Sequence, residues 1–384
     1  MTESKGPNGQ QPFKTPTTLL YGTIVLTVLP FLLDRLGVNF GSTPSHIDTS
    51  LVGPDLVDSA FRSLSGSFIH SLLEWSAFAL AIFTAILAHN HFVITGNVLT
   101  PVIGMALLMA GSMDAFHTLA ANRLIESTAP NENLIPFTWA ICRLFNSVIC
   151  LVGVGIFLIR DMDVWQKRAI PFLVIVSSAF AIAAFLIIQY CALSDSLPRT
   201  QFPESAITRP WDVYPLIIFV ISLLVFYKFH KKHQSVFSFS LFLSTLPDLA
   251  VQAHMALGSS SLFDAHFNIA HFLKIVAYGV PFAGLVIDYV RTYREETRLV
   301  SALRQTQYRL EKSNTDLQQF AYAASHDLKT PLRDIQTVVS WIKEDHVNDL
   351  PEDVYTNLTT IDKRTSRMSK LIDGILDYSR SEPR

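Results

Sequence analysis

The run FAYAASHDLKTPLRDI, residues 320–335, decides how the C-terminal part of this chain folds. The imidazole of His326 is followed at once by the carboxylate of Asp327, and Thr330 and Pro331 come one helical turn later. Residues three and four apart share a helix face, so His326, Asp327 and Thr330 are expected together on a solvent-facing surface. A neutral imidazole nitrogen is a competent nucleophile toward a phosphoryl group. A neighbouring carboxylate can accept the other ring N–H, orient the ring and make it more basic. A lone histidine on an amphipathic helix is ordinarily no more than a polar surface residue. The string SHDLKTPL with its long helical lead-in argues against that here.

Beyond the histidine, the helix is expected to kink at Pro331 and to continue through Ile335, Val338, Val339 and Ile342. HVNDLPED (346–353) reads as a turn, and Val354, Leu358, Ile361, Met368, Leu371, Ile372, Ile375 and Tyr378 form a second apolar stripe. Residues 320–384 therefore read as a helical hairpin, and two such hairpins make a four-helix bundle. Upstream, Leu303, Leu310, Leu317 and Ala324 recur every seven residues, with Leu299, Thr306, Ser313 and Phe320 at the alternate seam positions. A single helix lying on another surface would also fit. The heptad favours a parallel dimeric coiled coil over residues 291–319, loosened at Thr306 and Ser313. A loose seam suits a helix that must change register or rotate.

This C-terminal segment resembles the dimerisation and phosphotransfer domains of histidine kinases, the HisKA type. The likeness runs to about Arg380 and includes the second helix ending LIDGILDYSR. It implies that His326 is the phosphoacceptor, that Asp327 assists the transfer, and that Thr330 positions water for phosphatase action. It also implies a homodimer and a response-regulator receiver domain as partners. ATP and magnesium would be held by a separate ATP-binding kinase domain. The chain carries no Gly-rich nucleotide loop after the hairpin, since Gly374 is the one glycine beyond Gly284. The kinase domain is thus expected in cis, in a longer chain cut just after SRSEPR, or in trans. This stretch alone is expected to be inactive.

The rest of the chain is of another kind. Of 384 residues 49% are hydrophobic and only 16% charged, too apolar for a soluble protein of this size. The apolar residues concentrate in eight runs, at about 17–36, 67–89, 97–120, 136–159, 169–192, 212–229, 236–257 and 268–290. Each is about the length that crosses a bilayer as a helix. The fold class is therefore all-α: an eight-span membrane bundle over 17–290, a signalling helix and a helical hairpin. Residues 1–16 read as a disordered cytoplasmic tail with no cleavable signal pattern. Lys and Arg favour both termini inside, because Arg160, Lys167, Arg168, Lys228, Lys231, Lys232, Arg291, Arg294 and Arg298 then fall on the cytoplasmic side. The expected location is the bacterial cytoplasmic membrane, with lipids as partners. The net charge of −2 says little about partners, and none is expected among nucleic acids. Cys142, Cys150 and Cys191 lie in apolar runs, with no disulfide or zinc spacing.

Ionisable groups inside spans are costly and mark function. Here they include His70 and Glu74, Asp114 and His117, Arg143, Asp248 and His254, and His271 and Lys274. With the N-terminus inside, all lie toward the outer end of the bundle. His70 with Glu74, and Asp114 with His117, each set an imidazole and a carboxylate on one helix face, a pattern that builds metal sites in bundles. His70, Glu74, Asp114, His117, His254 and His271 are the expected ligands, with Arg143 and Lys274 behind them. Zinc, copper and iron suit such donors. Ion pairs that merely hold helices together, or a small organic or lipid ligand, are the other readings.

The strings FIHSLLEWSAF (68–78), GMALLMAGSMDAFHTLA (104–120), WAICR (139–143) and NIAHFLKIVAY (268–278) resemble membrane-associated sensor domains, the MASE3/MASE4 type most closely. That likeness covers about residues 20–290 and implies an integral-membrane input module joined to a signalling output. Together the two resemblances imply a sensor histidine kinase of a two-component system. A transporter or channel with a regulatory tail is the first rival, though no internal repeat or matching pair of broken spans supports it. A membrane metalloenzyme using the His/Glu/Asp cluster is the second.

Overall fold

A computed structural model describes residues 15–42, 50, 52–126, 128–160, 162–346 and 349–380. The expected disordered tail falls almost wholly outside the described residues. Among those described, the secondary structure is entirely helical. Ten α-helices follow in order: α1 (Thr17–Arg35), α2 (Pro54–Thr95), α3 (Leu99–Ala121), α4 (Asn131–Ile159), the short α5 (Met162–Gln166), α6 (Ala169–Leu193), α7 (Val213–His233), α8 (Val236–Ala253), α9 (Ala265–Asp345) and α10 (Glu352–Arg380). A 3₁₀ turn at Pro210–Asp212 precedes α7, and a π turn at His254–Gly258 follows α8. Eight of the helices are long and apolar enough to cross a membrane. The chain divides into two compact units, Met1–Thr292 and Tyr293–Arg384.

Local chemistry sets the helix ends. Pro54 stands at the start of α2, where its missing N–H costs nothing. Gly96 ends α2 in the left-handed conformation (φ 68°), which a residue without a Cβ adopts freely. Ser235 and Ser238 close a reciprocal capping box at the start of α8. The sequence placed residues 37–66 in an outer loop, but α2 begins at Pro54. Close packing begins at Gly66, where a Cβ would lie 2.8 Å from the Phe263 ring.

Within the first unit, α3 is the central helix, packed on α2, α4 and α6, while α4 packs on α7 and α7 on α8. Small residues let α2 and α3 approach closely. A Cβ on Gly104 would sit 2.7 Å from that of Ala88, and one on Gly111 2.7 Å from that of Ala81. Close approach of this kind drives helix association in lipid, where apolar burial alone gains little. The apolar core runs through Ala77, Ala81, Val102, Ile103, Ala106, Met113, Phe157, Phe229 and Leu285. The outward faces, including Phe83, Ile86, Ile175 and Leu186, are exposed and apolar, as surfaces solvated by acyl chains must be.

In the second unit, the later part of α9 and α10 form the hairpin, joined by a turn before Glu352. Ser325, Leu332, Val339, Thr365 and Ile372 are buried between the arms, and Lys329 pairs with Asp373 across them. The expected kink does not break the helix, for α9 continues unbroken past Pro331 to Asp345. One apolar face stays open: Leu328, Pro331, Ile335, Met368 and Leu371 line a groove over the buried Leu332 and Ile372. Upstream, the seam residues Leu303, Leu310 and Leu317 are exposed, at 70%, 72% and 63%.

Candidate functional site

Five helices deliver polar side chains to the middle of the membrane unit. On α2, His70 and Glu74 lie one turn apart on the same buried face as Ala77 and Ala81. On α3, Asp114 and His117 are buried, and α4 contributes Thr138, Trp139 and Arg143. α8 adds Asp248 and Gln252. α9 adds His271, Lys274 and Tyr278, whose spacing of three and four places them on one face.

These groups sort into two linked clusters. In the first, the Lys274 ammonium bonds both oxygens of Glu74 and lies 3.4 Å from Asp114 Oδ1. It also sits 4.9 Å from the centre of the Trp139 ring, within cation–π range. Tyr278 donates its hydroxyl to Asp114 Oδ2 at 3.0 Å. The imidazoles gather against Glu74: His271 Nε2 is 3.2 Å and His70 Nε2 4.0 Å from Oε1. His70 Nε2 and His117 Nε2 are 3.3 Å apart, and His117 Nδ1 meets Thr138 Oγ1 at 2.6 Å. Aromatic rings wall this cluster, with Phe267 stacked on His271 at 4.1 Å and Trp139 at 4.3 Å on the same imidazole.

In the second cluster, Arg143 Nη2 donates to Asp248 Oδ1 at 2.5 Å. With its amide oriented to satisfy both neighbours, Gln252 accepts from Arg143 Nε at 2.7 Å and donates to Asp212 Oδ1 at 3.3 Å. Trp139 Nε1 donates to the same Asp212 oxygen at 3.0 Å.

Of the six expected ligands, His70, Glu74, His117 and His271 come together, with one donor atom from each within 4.8 Å of the others. Asp114 and His254 do not join them. Asp114 is taken by Lys274 and Tyr278. His254 opens the π turn and faces His266, Nδ1 to Nδ1 at 2.8 Å, beside Phe31. The reason is angular: Asp248 and Gln252, one turn apart, point inward, and a residue two positions past Gln252 lies about 200° around the helix. Lys274 and Arg143 act directly as counter-charges, to Glu74 with Asp114 and to Asp248.

Sequence reasoning missed Thr138, Tyr278 and Arg209. Tyr278 follows His271 by seven residues and Lys274 by four, so helical periodicity marks it. Thr138 has no such signal. Arg209 read as an outer-loop charge. It is buried, its guanidinium lies 5.7 Å from the centre of the Phe267 ring, and burial lowers its pKa, partly offset by Asp212 and Asp264.

The second site lies on the surface of the hairpin. His326 and Asp327 are 73% and 83% exposed, with Nδ1 3.3 Å from Oδ1. Ionised Asp327 has no proton to give, so Nδ1–H donates and Nε2 is left as a free lone pair facing solvent. Thr330 donates its hydroxyl to the His326 carbonyl at 3.3 Å and is also exposed.

Comparison with known proteins finds a family match in each part of the chain. The His Kinase A (phospho-acceptor) domain family matches residues 316–384. Cyanobacterial phytochrome B of Nostoc sp. is 42% identical over 78 residues, which cover 20% of this chain and 10% of that protein. Cyanobacterial phytochrome A of the same organism is 36% identical over 83 residues, 22% of this chain and 11% of the relative. Phytochrome-like protein Cph1 of Synechocystis sp. is 37% identical over 83 residues, with the same coverage. The chain spans only about a tenth of the length of these curated relatives. No solved structure matches it. The membrane-associated sensor domain family MASE3 matches residues 64–292, more than half of the chain and the whole of the buried polar cluster. The chain belongs to that family, with a His kinase A phospho-acceptor domain following its sensor domain.

Proposed function

We propose that the protein is the input and phosphoacceptor part of a membrane sensor histidine kinase in a two-component system. The observation that carries this is the exposed His326, its Nδ1 held by Asp327 and its Nε2 free, on a phosphoacceptor hairpin. Nε2 attacks the γ-phosphorus of ATP held by a kinase domain, in cis or in trans. A P–N bond forms and the bond to the ADP oxygen breaks. Asp327 holds the ring proton and stabilises the cationic phosphoimidazole. Catalysis is then largely positioning, as phosphoryl transfer generally demands. The phosphoryl group passes on to the aspartate of a receiver domain, and Thr330, one turn from His326, would position the water that hydrolyses that aspartyl phosphate in the phosphatase step. Both termini lie in the cytoplasm of a bacterial cell, as the Lys/Arg distribution favours.

The test is a relay. The chain, in membranes, is given a kinase domain and ATP labelled at the γ-phosphorus. The label should attach in an acid-labile, base-stable form and then move to a receiver domain. A chain that never takes up label with any of a panel of kinase domains would defeat the proposal.

The uncovered seam and groove support a homodimer, with two hairpins closing a four-helix bundle. Single cysteines at Leu310 or Leu317, in a background without Cys142, Cys150 and Cys191, should crosslink between chains in membranes. Cysteines at exposed off-seam positions such as Arg309 should crosslink far less. Equal crosslinking at all of these positions would argue for a lone helix instead.

A further inference from the structure

We infer that His70, His117, His271 and Glu74 hold a single transition-metal cation inside the membrane bundle. All four are buried, and their donor atoms converge within 4.8 Å of one another.

The positions of the protons make the case. Thr138 donates its hydroxyl proton to the Leu134 carbonyl at 2.6 Å, so its oxygen can only accept from His117 Nδ1. His117 Nδ1 therefore carries the ring proton and Nε2 is a bare lone pair. His271 Nδ1 faces the Phe267 carbonyl at 2.7 Å, and a carbonyl only accepts, so in the neutral ring Nε2 is bare here too. That Nε2 is buried and finds no hydrogen-bond partner. It faces a carboxylate oxygen, Glu74 Oε1, at 3.2 Å. Two lone pairs in contact, out of water, repel each other and lose their hydration. A cation between them turns the same contact into two bonds.

Three further observations agree. In a tetrahedral site with metal–nitrogen bonds near 2.0–2.1 Å, neighbouring donors are about 3.3–3.4 Å apart. Of the six donor pairs, His70–His117 at 3.3 Å and His271–Glu74 at 3.2 Å match, while His70–Glu74 at 4.0 Å would draw in around an ion, and none exceeds 4.8 Å. Two of the three imidazoles have the outer ring nitrogen fixed by a protein acceptor, the usual support for a ligating histidine. Charge points the same way. With neutral imidazoles, Glu74 and Asp114 share one cation, Lys274, and a buried excess of negative charge is costly in a membrane. Three imidazoles and one carboxylate suit zinc, iron, copper or nickel rather than calcium or magnesium.

The rival occupant is a proton on His271, making an imidazolium–Glu74 pair with no metal. Elemental analysis of the full chain, purified in detergent without chelator, separates the two. About one equivalent of one transition metal per chain is expected in the wild type, falling at least about tenfold in His117→Ala/His271→Ala. His254→Ala, outside the cluster, should keep the metal. X-ray absorption at the edge of the bound metal should show imidazole outer-shell scattering, a readout that needs no variant. Overturning results are a wild type that stays below about a tenth of an equivalent after anaerobic reloading with Zn²⁺, Fe²⁺ or Cu⁺, or a first shell without imidazole. Equal metal in the wild type and the folded double variant would do the same. None of these readouts involves ATP or His326, so failure here leaves the phosphoacceptor reading untouched.

Discussion

His326→Gln should abolish labelling of the chain, leaving less than about a hundredth of the wild-type phosphoryl content under matched kinase domain and ATP. Glutamine keeps the length and polarity of the side chain, and the site is exposed, so the hairpin should stay folded. What disappears is the Nε2 lone pair, for which the amide has no nucleophilic substitute. Asp327→Asn should act differently. The hairpin still offers the imidazole, but the ring loses its anionic partner at Nδ1, and initial labelling should slow by about 10²-fold without being lost. Labelling of His326→Gln at the wild-type level would place the phosphoacceptor elsewhere. Equal loss in both variants would mean that the hairpin, rather than the nucleophile, had been damaged. Far-UV circular dichroism of each variant checks that point.

The second large effect is expected at Lys274. Its ammonium is fully buried and is shared by Glu74 and Asp114. Removing one partner of a buried ion pair leaves an uncompensated charge, at a cost of about 3–5 kcal/mol. Lys274→Met, close in volume but neutral, should therefore lower the thermal midpoint of the metal-free protein in detergent by on the order of 10 °C. Adding Glu74→Gln removes one stranded carboxylate, and the double variant should recover much of the loss. That non-additivity is the signature of direct coupling. A Lys274→Met protein within about 1 kcal/mol of the wild type would show that the pair contributes little and that Asp114 and Glu74 are neutralised by other means.

Much of the architecture was legible along the chain because it depends on local quantities. A run of about 20 apolar residues is a spanning helix whatever its neighbours are. The eight runs correspond to eight helices of sufficient length and hydropathy. The hairpin was legible for the same reason: HVNDLPED separates two stripes of helical period, α9 ends just before it and α10 begins within it. Where the local rule was weaker, the reading slipped. Residues 54–66 mix Asp55, Asp58 and Arg62 with apolar residues and lack the continuous apolar run of a span, yet they are helical and lead into the close packing of Gly66 on Phe263. At Pro331, by contrast, the sequence reads as a helix that continues, and α9 does so.

The polar cluster divides in the same way. Which residue types lie inside the spans is a property of sequence, and so is the pairing of His70 with Glu74 on one face. The partners across helices are not. Whether Asp114 meets an imidazole or Lys274 depends on how α3 and α9 face each other, which no pattern within either helix specifies. His254 stood in the same apolar run as Asp248 and Gln252, and the helix turned it away from them to face His266. Thr138 fixes the proton of His117 from another helix, a contact no spacing within either segment encodes. The sequence by itself determined the helices, their order, the phosphoacceptor motif and the list of buried charges, because each rests on composition and period within one segment. Only the tertiary structure decided which charges neutralise one another and which nitrogens are left bare, because those depend on distances of a few ångströms between segments that share no local pattern.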